Sequence, residues 1–407
     1  MTMRLLMLIT NHGVGGAERV FSDHSDYFRT RYHVEQAVFD GSAPHCYDIG
    51  LPCHVIRPGW LARKLGPVGR LVGRSLSLRR LCRARSFDVV ISHMDGANWV
   101  NALSLSRAKK IFVVHGSVIH DKRLARWQQW FRTKVMIPLT YAVADVVVSV
   151  SEGIAAELTS LGVSRVEAIE NFVDVSRIRR LSRETCELTD AVFSDGREFI
   201  VTVGRLCAAK NYESLLRVFF RVHELRPQAK LVIAGDGELK RYLFELSTQL
   251  GLRTVDVSSS QAEAATEADV VFLGHQSNPF KFVRHANLFV FPSLWEGFPL
   301  ALCEAMACGV PVVSADCPTG PAEILGEQAP KSGSAVLEPT WTNCGVLMPP
   351  LVGDVSATQW RDTLIQMLGN VQSCSSIAEG ASSRALTFDR DSVMSRWTEL
   401  IKRIHPE

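Results

Sequence analysis

Short runs of β-branched and other apolar residues alternate along this chain with longer stretches whose apolar positions recur every three or four residues. The runs form two series. The first is Arg4 to Ile9, Val34 to Phe39, Cys53 to Ile56, Asp88 to Ser92, Ile111 to His115, Val146 to Val150 and Val166 to Ile169. The second is Phe199 to Val203, Lys230 to Ala234, Val270 to Leu273, Leu288 to Phe291 and Val312 to Ser314. Strands that alternate with helical segments build parallel sheets from βαβ units, so the pattern predicts an α/β chain with two doubly wound domains. The charged stretch from Asp174 to Gly196 has no strand pattern and reads as the linker, giving a first domain over 1–185 and a second over 196–375. In the remaining segment, 376–407, Leu386, Val393, Trp397, Leu400, Ile401 and Ile404 fall at mostly helical spacing and predict a terminal helix packed back on one domain. Ser258 to Ser260 and Lys331 to Asn343 read as loop insertions.

Composition agrees with two domains. A chain of 407 residues, 46% hydrophobic, can bury more than one core at roughly 100–200 residues per domain. Its 10 cysteines form no C-x-x-C pair and no zinc spacing, which suits buried thiols in a reducing compartment. No apolar run approaches the ~18 to 20 residues of a membrane span, and the opening run is broken by Arg4, so neither a spanning helix nor a signal peptide is expected.

Charge changes the picture more. Residues 1 to 187 carry 26 Lys/Arg against 17 Asp/Glu, whereas the remainder carries 19 against 25. From Trp60 to Phe87 there are Arg63, Lys64, Arg70, Arg74, Arg79, Arg80, Arg83 and Arg85 and no acid, interleaved with leucines. A second patch has Lys122, Arg123, Arg126, Arg132 and Lys134 around Trp127, Trp130 and Phe131. Basic helices with Leu and Trp at helical spacing can lie on an anionic bilayer, each cation near the surface contributing about 1 kcal/mol. A solvated helix face is the plain alternative. No recognised nucleic-acid motif accompanies the charge, so no nucleic acid is expected as a partner.

Open α/β sheets bind ligands at the carboxyl ends of their strands, and the candidate chemistry clusters there. After the first strand comes Asn11-His12-Gly13-Val14-Gly15-Gly16-Ala17-Glu18-Arg19, where glycines let backbone approach a ligand at a helix start. A dinucleotide fingerprint counted from Gly13 would want glycine where Glu18 stands, so phosphate or sugar fits better than NAD, and a plain tight turn stays open. His115 ends an apolar strand and can hydrogen-bond a sugar hydroxyl, polarise a reacting group, or be structural. Gly204 and Arg205 follow the strand ending at Val203; with Lys210 five positions on, two cations and a helix start can converge on one anion. A diphosphate leaving group needs such compensation for roughly two negative charges. The most informative stretch runs from Phe291 through Trp295-Glu296-Gly297-Phe298-Pro299-Leu300 to Glu304 and Gly309-Val310-Pro311. Amides around Gly297 to Leu300 can face a phosphate, Glu304, about two turns inside the next helix, can grip a ribose, and Glu296 can hold hexose hydroxyls.

At these residues the chain resembles the family 4 retaining glycosyltransferases, whose GT-B fold sets two Rossmann-like domains across a cleft. The resemblance rests on Gly15-Gly16-Ala17-Glu18-Arg19, on Val203-Gly204-Arg205-Leu206 with Lys210-Asn211, on Ala234-Gly235-Asp236-Gly237, and on Glu296 with Glu304 as E-x7-E. Phe272 to Pro279 and Asp316 to Leu325 look like a subgroup that builds bacterial surface glycans and lipid-linked oligosaccharides. The family's roles imply that Arg205 and Lys210 bind the donor diphosphate, Glu304 the ribose, and Glu296 the transferred sugar with amides near Phe298 and Pro299. They place Gly15 and Gly16 close to the phosphates, His115 near the sugar, and Gly274 and His275 beside the base. The implied donor is a UDP-sugar, with an N-acetylhexosamine favoured, and no cofactor or metal. The implied acceptor is a saccharide or lipid-linked saccharide, held by the first domain at the cytoplasmic face of the plasma membrane.

Transfer with retention would then proceed on one face: the acceptor hydroxyl enters on the side from which diphosphate departs, and the leaving phosphate oxygen takes its proton. Asp389-Arg390-Asp391, the only D-x-D, lies by the terminal helix and reads as a helix cap rather than a metal site. Competing readings are a nicotinamide-dependent oxidoreductase, an epimerase or phosphorylase of the same architecture, and a non-catalytic sugar-nucleotide binder.

Overall fold

A computed structural model describes residues 2–13, 15–41, 47, 49–120, 125–193, 196–258, 264–326 and 335–406. Lys122 and Arg123 of the second basic patch, Val14, Ser259 and Ser260, and 331–334 of the second expected insertion lie outside the described residues. The chain divides into two compact units, Met1–Phe172 with Asp391–Glu407, and Val173–Arg390.

The first unit holds a seven-stranded sheet of β1 (Arg4–Ile9), β2 (His33–Val38), β3 (Cys53–Val55), β4 (Val89–His93), β5 (Lys109–Val114), β6 (Val146–Ser149) and β7 (Val166–Ala168). All pairings are parallel, in the order β3-β2-β1-β4-β5-β6-β7. Leu5 to Ile9 and Val89 to Ile91 are buried without alternation, because helices cover both faces of such a sheet. Helices Gly66–Arg85, Asp95–Leu103 and Ile137–Tyr141 pack in series on one side. The chain's last helix, Arg390–Ile404, packs on helix Gly16–Phe28, with Trp397 edge-on to His24 at 5.0 Å and to Phe28 at 6.2 Å. Arg396 reaches Glu170 and the Ala168 carbonyl, and Arg403 reaches Glu167, pinning that helix beside β7.

The second unit has eight strands: β8 (Glu198–Val203), β9 (Ala229–Ala234), β10 (Thr254–Asp256), β11 (Val270–Gly274), β12 (Leu288–Phe291), β13 (Val312–Ala315), β14 (Thr340–Thr342) and β15 (Gly345–Met348). Their order is β10-β11-β9-β8-β12-β13-β15-β14, parallel except for the β14–β15 edge pair. The core between sheet and helices is built on Ile200, Leu231, Ile233, Leu215, Phe219, Val290, Val313 and the fully buried Trp360.

Two elements differ from the sequence expectation. The stretch read as a linker carries helices Val175–Ser182 and Glu187–Phe193, and both pack on the second unit. Asp174 opens the first of them by accepting from Arg177 N at 2.8 Å. The segment 376–407 is not one piece: residues through Arg390 stay with the second unit and the rest with the first. Asp389 accepts from Val175 N at 3.0 Å, so this carboxylate serves the start of a distant helix.

Candidate functional site

In each sheet the chain begins at a central strand, winds to one edge, then returns to the other side of that strand. The loops after that central strand and after the first strand on its other side flank a topological switch point, where open α/β sheets take ligands. In the second unit those loops follow β8 and β12.

The β8 loop is held by backbone. Gly204 N donates to Ala234 O at 3.0 Å, Leu206 N to Asp236 O at 2.9 Å, and Leu239 N to Leu206 O at 3.0 Å. A Cβ on Gly235 would sit 1.9 Å from Gly204 O, so this close approach of two strand ends requires glycine. Ala208–Lys210 makes one 3-10 turn, and Asn211, at φ 54°, donates from Nδ2 to Leu351 O before helix Tyr212–Leu225 begins. Lys210 is thereby aimed inward. Its Nζ lies 2.6 Å from Glu296 Oε1 and 4.8 Å from the centre of the Phe291 ring. Burial works against the Lys210 charge, but the Glu296 carboxylate outweighs it and holds the ammonium's pKa above the ordinary lysine value.

Arg205 points elsewhere. Its side chain is 69% exposed and meets Glu238 Oε2 at 3.2 Å, so it and Lys210 share no partner.

The β12 loop is tied to both neighbours. Leu294 N donates to Ala209 O at 2.8 Å and Glu296 N to Pro318 O at 2.9 Å, while Thr319 Oγ1 donates to Gly297 O at 2.9 Å. Gly320, at φ 102°, comes so close to Pro299 Cδ and Gly297 O that a Cβ would stand 2.7 and 2.8 Å away. Phe298 is buried edge-on to Phe388. Helix Leu300–Ala307 starts directly after Pro299, so buried Glu304 lies about one turn inside it, not two. The Glu304 carboxylate and, chiefly, burial push the nearby Cys308 thiol up to about 12. Gly274 ends β11 at φ 67°, with its carbonyl accepting Gly235 N at 2.8 Å, and His275 beside it is exposed. Lys240 Nζ, hydrogen-bonded to Asp256 Oδ2 and Ser258 Oγ at 2.8 Å each, lies next to Gly274.

In the first unit the switch point lies between β1 and β4. Asn11 Oδ1 accepts Gly13 N at 2.8 Å, Gly15 is extended, and helix Gly16–Phe28 follows. The Glu18 carboxylate folds over Gly15, and its burial raises its pKa. His115 follows β5, and its Nε2 stands 2.8 Å from Nδ1 of His93, the last residue of β4. Burial pushes His115 down to about 4, and burial with the His115 charge lowers His93 well below the ordinary value. The loop after His115 is clasped by buried Glu157, which accepts Ser117 Oγ and Val118 N at 2.7 Å, Ile119 N at 3.1 Å and His120 Nδ1 at 3.0 Å. At the other side of the switch point Asp95 accepts from Arg132 Nε at 2.5 Å and Tyr141 Oη at 2.8 Å. Met94, at φ 73° and ψ 152°, is in a conformation costly for a side-chain-bearing residue, of the kind concentrated at functional sites. His93, Asp95 and Glu157 carry no motif, and only the order of the strands reveals them.

Among the described residues no group of three or more His, Cys, Asp or Glu side chains gathers to hold a metal ion, and no helix is long and apolar enough to cross a membrane.

Two family profiles match in tandem: Glycosyltransferase Family 4 over residues 14–177 and Glycosyl transferases group 1 over residues 188–343. The chain is a family 4 glycosyltransferase. Relatives of this glycosyltransferase include an uncharacterized glycosyltransferase of Methanocaldococcus jannaschii, 29% identical over 82% of this chain and 84% of that one. Another is the Campylobacter jejuni N-acetylgalactosamine-N,N'-diacetylbacillosaminyl-diphospho-undecaprenol 4-alpha-N-acetylgalactosaminyltransferase, 26% identical over 80% of this chain and 84% of that one. Among solved structures, Anabaena HepE in complex with UDP superposes with a TM-score of 0.76 at 18% identity, over 98% of this chain and 100% of that one. The two sheets of the glycosyltransferase are thus the two Rossmann-like halves of the GT-B fold.

Proposed function

We propose that this glycosyltransferase moves a hexose, with an N-acetylhexosamine favoured, from a UDP-sugar to a lipid-linked saccharide, with retention at the anomeric carbon. The observation that carries the reading is the Lys210–Glu296 pair at the switch point of the second unit. An arriving diphosphate offers Lys210 more negative charge than one carboxylate does, so the ammonium turns to the phosphates and releases Glu296 to accept hydrogen bonds from sugar hydroxyls. Arg205, long and exposed, leaves Glu238 to join the diphosphate, while Glu304 holds the ribose and the N–H groups of Gly297, Phe298 and Leu300, on either side of Pro299, lie along the phosphates. Gly274 and His275 border the base, Gly204 keeps the floor of the loop clear of side chains, Gly15 and Gly16 lie near the phosphates, and His115 meets the sugar.

In the reaction the bond from the anomeric carbon to the phosphate oxygen breaks as the acceptor oxygen bonds to the same carbon on the same face. The acceptor proton passes to the departing phosphate oxygen, and Lys210 and Arg205 offset the charge left on the diphosphate. This chemistry calls on no metal. A UDP donor is favoured by fold neighbours that hold UDP, and a lipid-linked acceptor by relatives named for diphospho-undecaprenol substrates.

The basic stretches support a peripheral seat on an anionic membrane at the cytoplasmic face. Trp60, Leu61, Leu65, Val68, Val72 and Leu76 form an exposed apolar row around helix Gly66–Arg85 among its cations, and Trp127 and Trp130 are exposed on helix Arg126–Phe131. Vesicles with anionic lipid should sediment the protein, and neutral vesicles should not. Donor identity is tested by nucleotide release over UDP- and GDP-sugars with lipid extract as acceptor. Lys210→Met and Glu296→Gln should each lower release at least about a hundredfold; wild-type rates in both would overturn the reading.

A further inference from the structure

The contact between His115 and His93 has a specific geometry. The ring planes are 21° apart and the centroids 5.0 Å apart, while His115 Nε2 and His93 Nδ1 approach to 2.8 Å. Rings stacked face to face would not separate their centroids so far with two nitrogens so near. They meet edge to edge, as one N–H donor and one lone-pair acceptor. Both imidazoles are neutral at pH 7, so a single proton lies between them.

Which ring owns that proton decides what His115 shows to a ligand. His93 is fully buried, and its Nε2 has no hydrogen-bond partner. If His115 donated, neutral His93 would carry its proton on Nε2, an orphaned N–H sealed away from water. If His93 donates from Nδ1, the unpartnered atom is only a lone pair. Orphaned buried N–H groups are the rarer and costlier defect. The second arrangement therefore prevails, and His115, with Nε2 occupied as acceptor, bears its proton on Nδ1.

We propose that His93 is a positioning residue that locks His115 in the Nδ1–H tautomer, so that His115 presents a donor, not an acceptor, to an oxygen of the transferred sugar. The inference rests on the reading of His115 as a sugar contact. It also gives the buried His93 at the switch point a role that its packing against the edge of Phe21, 5.3 Å between centroids, does not require.

Histidine-selective 15N labelling of the full chain tests the tautomer directly by long-range 15N–1H correlation at pH 7.5. The His115 and His93 signals are assigned by their loss in His115→Asn and His93→Asn. Expected are an unprotonated Nε2 and a protonated Nδ1 on His115. A protonated Nε2 overturns the proposal whatever the enzyme does. His93→Asn keeps an amide donor near the Nδ1 position and should keep the His115 tautomer and kcat/KM for donor within about threefold. His93→Phe fills the space without a donor and should release the tautomer and lower kcat/KM for donor about tenfold, the loss of one hydrogen bond, with acceptor KM unchanged. Equal losses in the two variants would mean packing alone and would sink the positioning role. The expected tautomer together with an unchanged kcat/KM in His93→Phe overturns His115 as a sugar contact, a failure distinct from that of the tautomer.

Discussion

His24 should make the first unit acid-sensitive well before its carboxylates titrate. The ring is 1% exposed, stacked on Phe172 at 5.8 Å and edge-on to Trp397 at 5.0 Å, and neither nitrogen has a hydrogen-bond partner. Burial, with a smaller contribution from His115, lowers its pKa from 6.5 to about 3. A base whose folded pKa is depressed takes up its proton in the unfolded chain first, so stability falls as pH drops from 6.5 towards 3 and changes no further below that. At pH 5.0, 1.5 units into this window, the loss is about 2 kcal/mol at 1.36 kcal/mol per unit, and at pH 7.5 it vanishes. His24→Phe keeps the aromatic packing and removes both unpartnered nitrogens. Denaturant unfolding followed by the fluorescence of Trp397 and its neighbours, at pH 7.5 and pH 5.0, measures the difference. The variant should match or exceed wild type at pH 7.5 and lose about 2 kcal/mol less on going to pH 5.0. His93 and His115 are present in both proteins, and burial, the main cause of their lowered pKa values, is common to both, so they change this comparison little. Identical acid losses in the two proteins would refute the claim that His24 is held neutral.

Lys230, fully buried, donates to the carbonyls of Val192, Ala265 and Thr266 at 3.2, 3.0 and 3.0 Å; Lys230→Met should cost about 2–3 kcal/mol in chemical unfolding of the second unit, as three carbonyls lose their donor. Glu157→Ala should raise amide hydrogen exchange at Val118, Ile119 and His120 severalfold, without change in the second unit, since it deletes the carboxylate that clasps them. Burial would raise the Asp269 carboxyl, but hydrogen bonds from Arg253 and Arg197 hold it at about 2; Asp269→Asn should therefore cost about 2 kcal/mol at pH 7. That difference should fade as pH falls from about 4 to 2, where the wild-type carboxylate is lost, and a penalty independent of pH would contradict it.

The strands were legible where apolar residues run together, and β1 and β12 have the bounds that pattern predicts. Three strands it misses lack a β-branched run: β10 (Thr254–Asp256) and β14 (Thr340–Thr342) are polar at two of three positions, and β15 (Gly345–Met348) opens on glycine just after the stretch that reads as an insertion. The helices in the supposed linker escaped because Val175 and Ile178 are the only buried apolar residues of the first, and its arginines dominate the composition. Candidate residues at strand ends stand out in the sequence for the same reason as the strands. Their pairing does not: His93 and His115 become neighbours through the parallel register, in which His93 stands opposite Val113, and Lys210 meets Glu296 across 86 positions because β12 lies beside β8.

The two switch points share one topology and differ in charge, and the difference bears on the proposed reading of each. In the second unit the facing loops bring an ammonium against a carboxylate. Such a pair tolerates a dianion, because the cation exchanges one anionic partner for another and never stands buried alone. In the first unit the corresponding strand ends bring together imidazoles that burial keeps uncharged, beside an Asp95 whose two oxygens are already taken by Arg132 and Tyr141. On the proposed reading, a neutral donor at His115 can bind a sugar oxygen without adding a charge beside it, whereas an imidazolium would add one. On this reasoning a fixed cation in place of His115 should impair transfer more than a neutral residue does. His115→Lys should therefore fall below His115→Asn in kcat while binding UDP at least as tightly, and equal kcat values in the two variants would break the argument from charge.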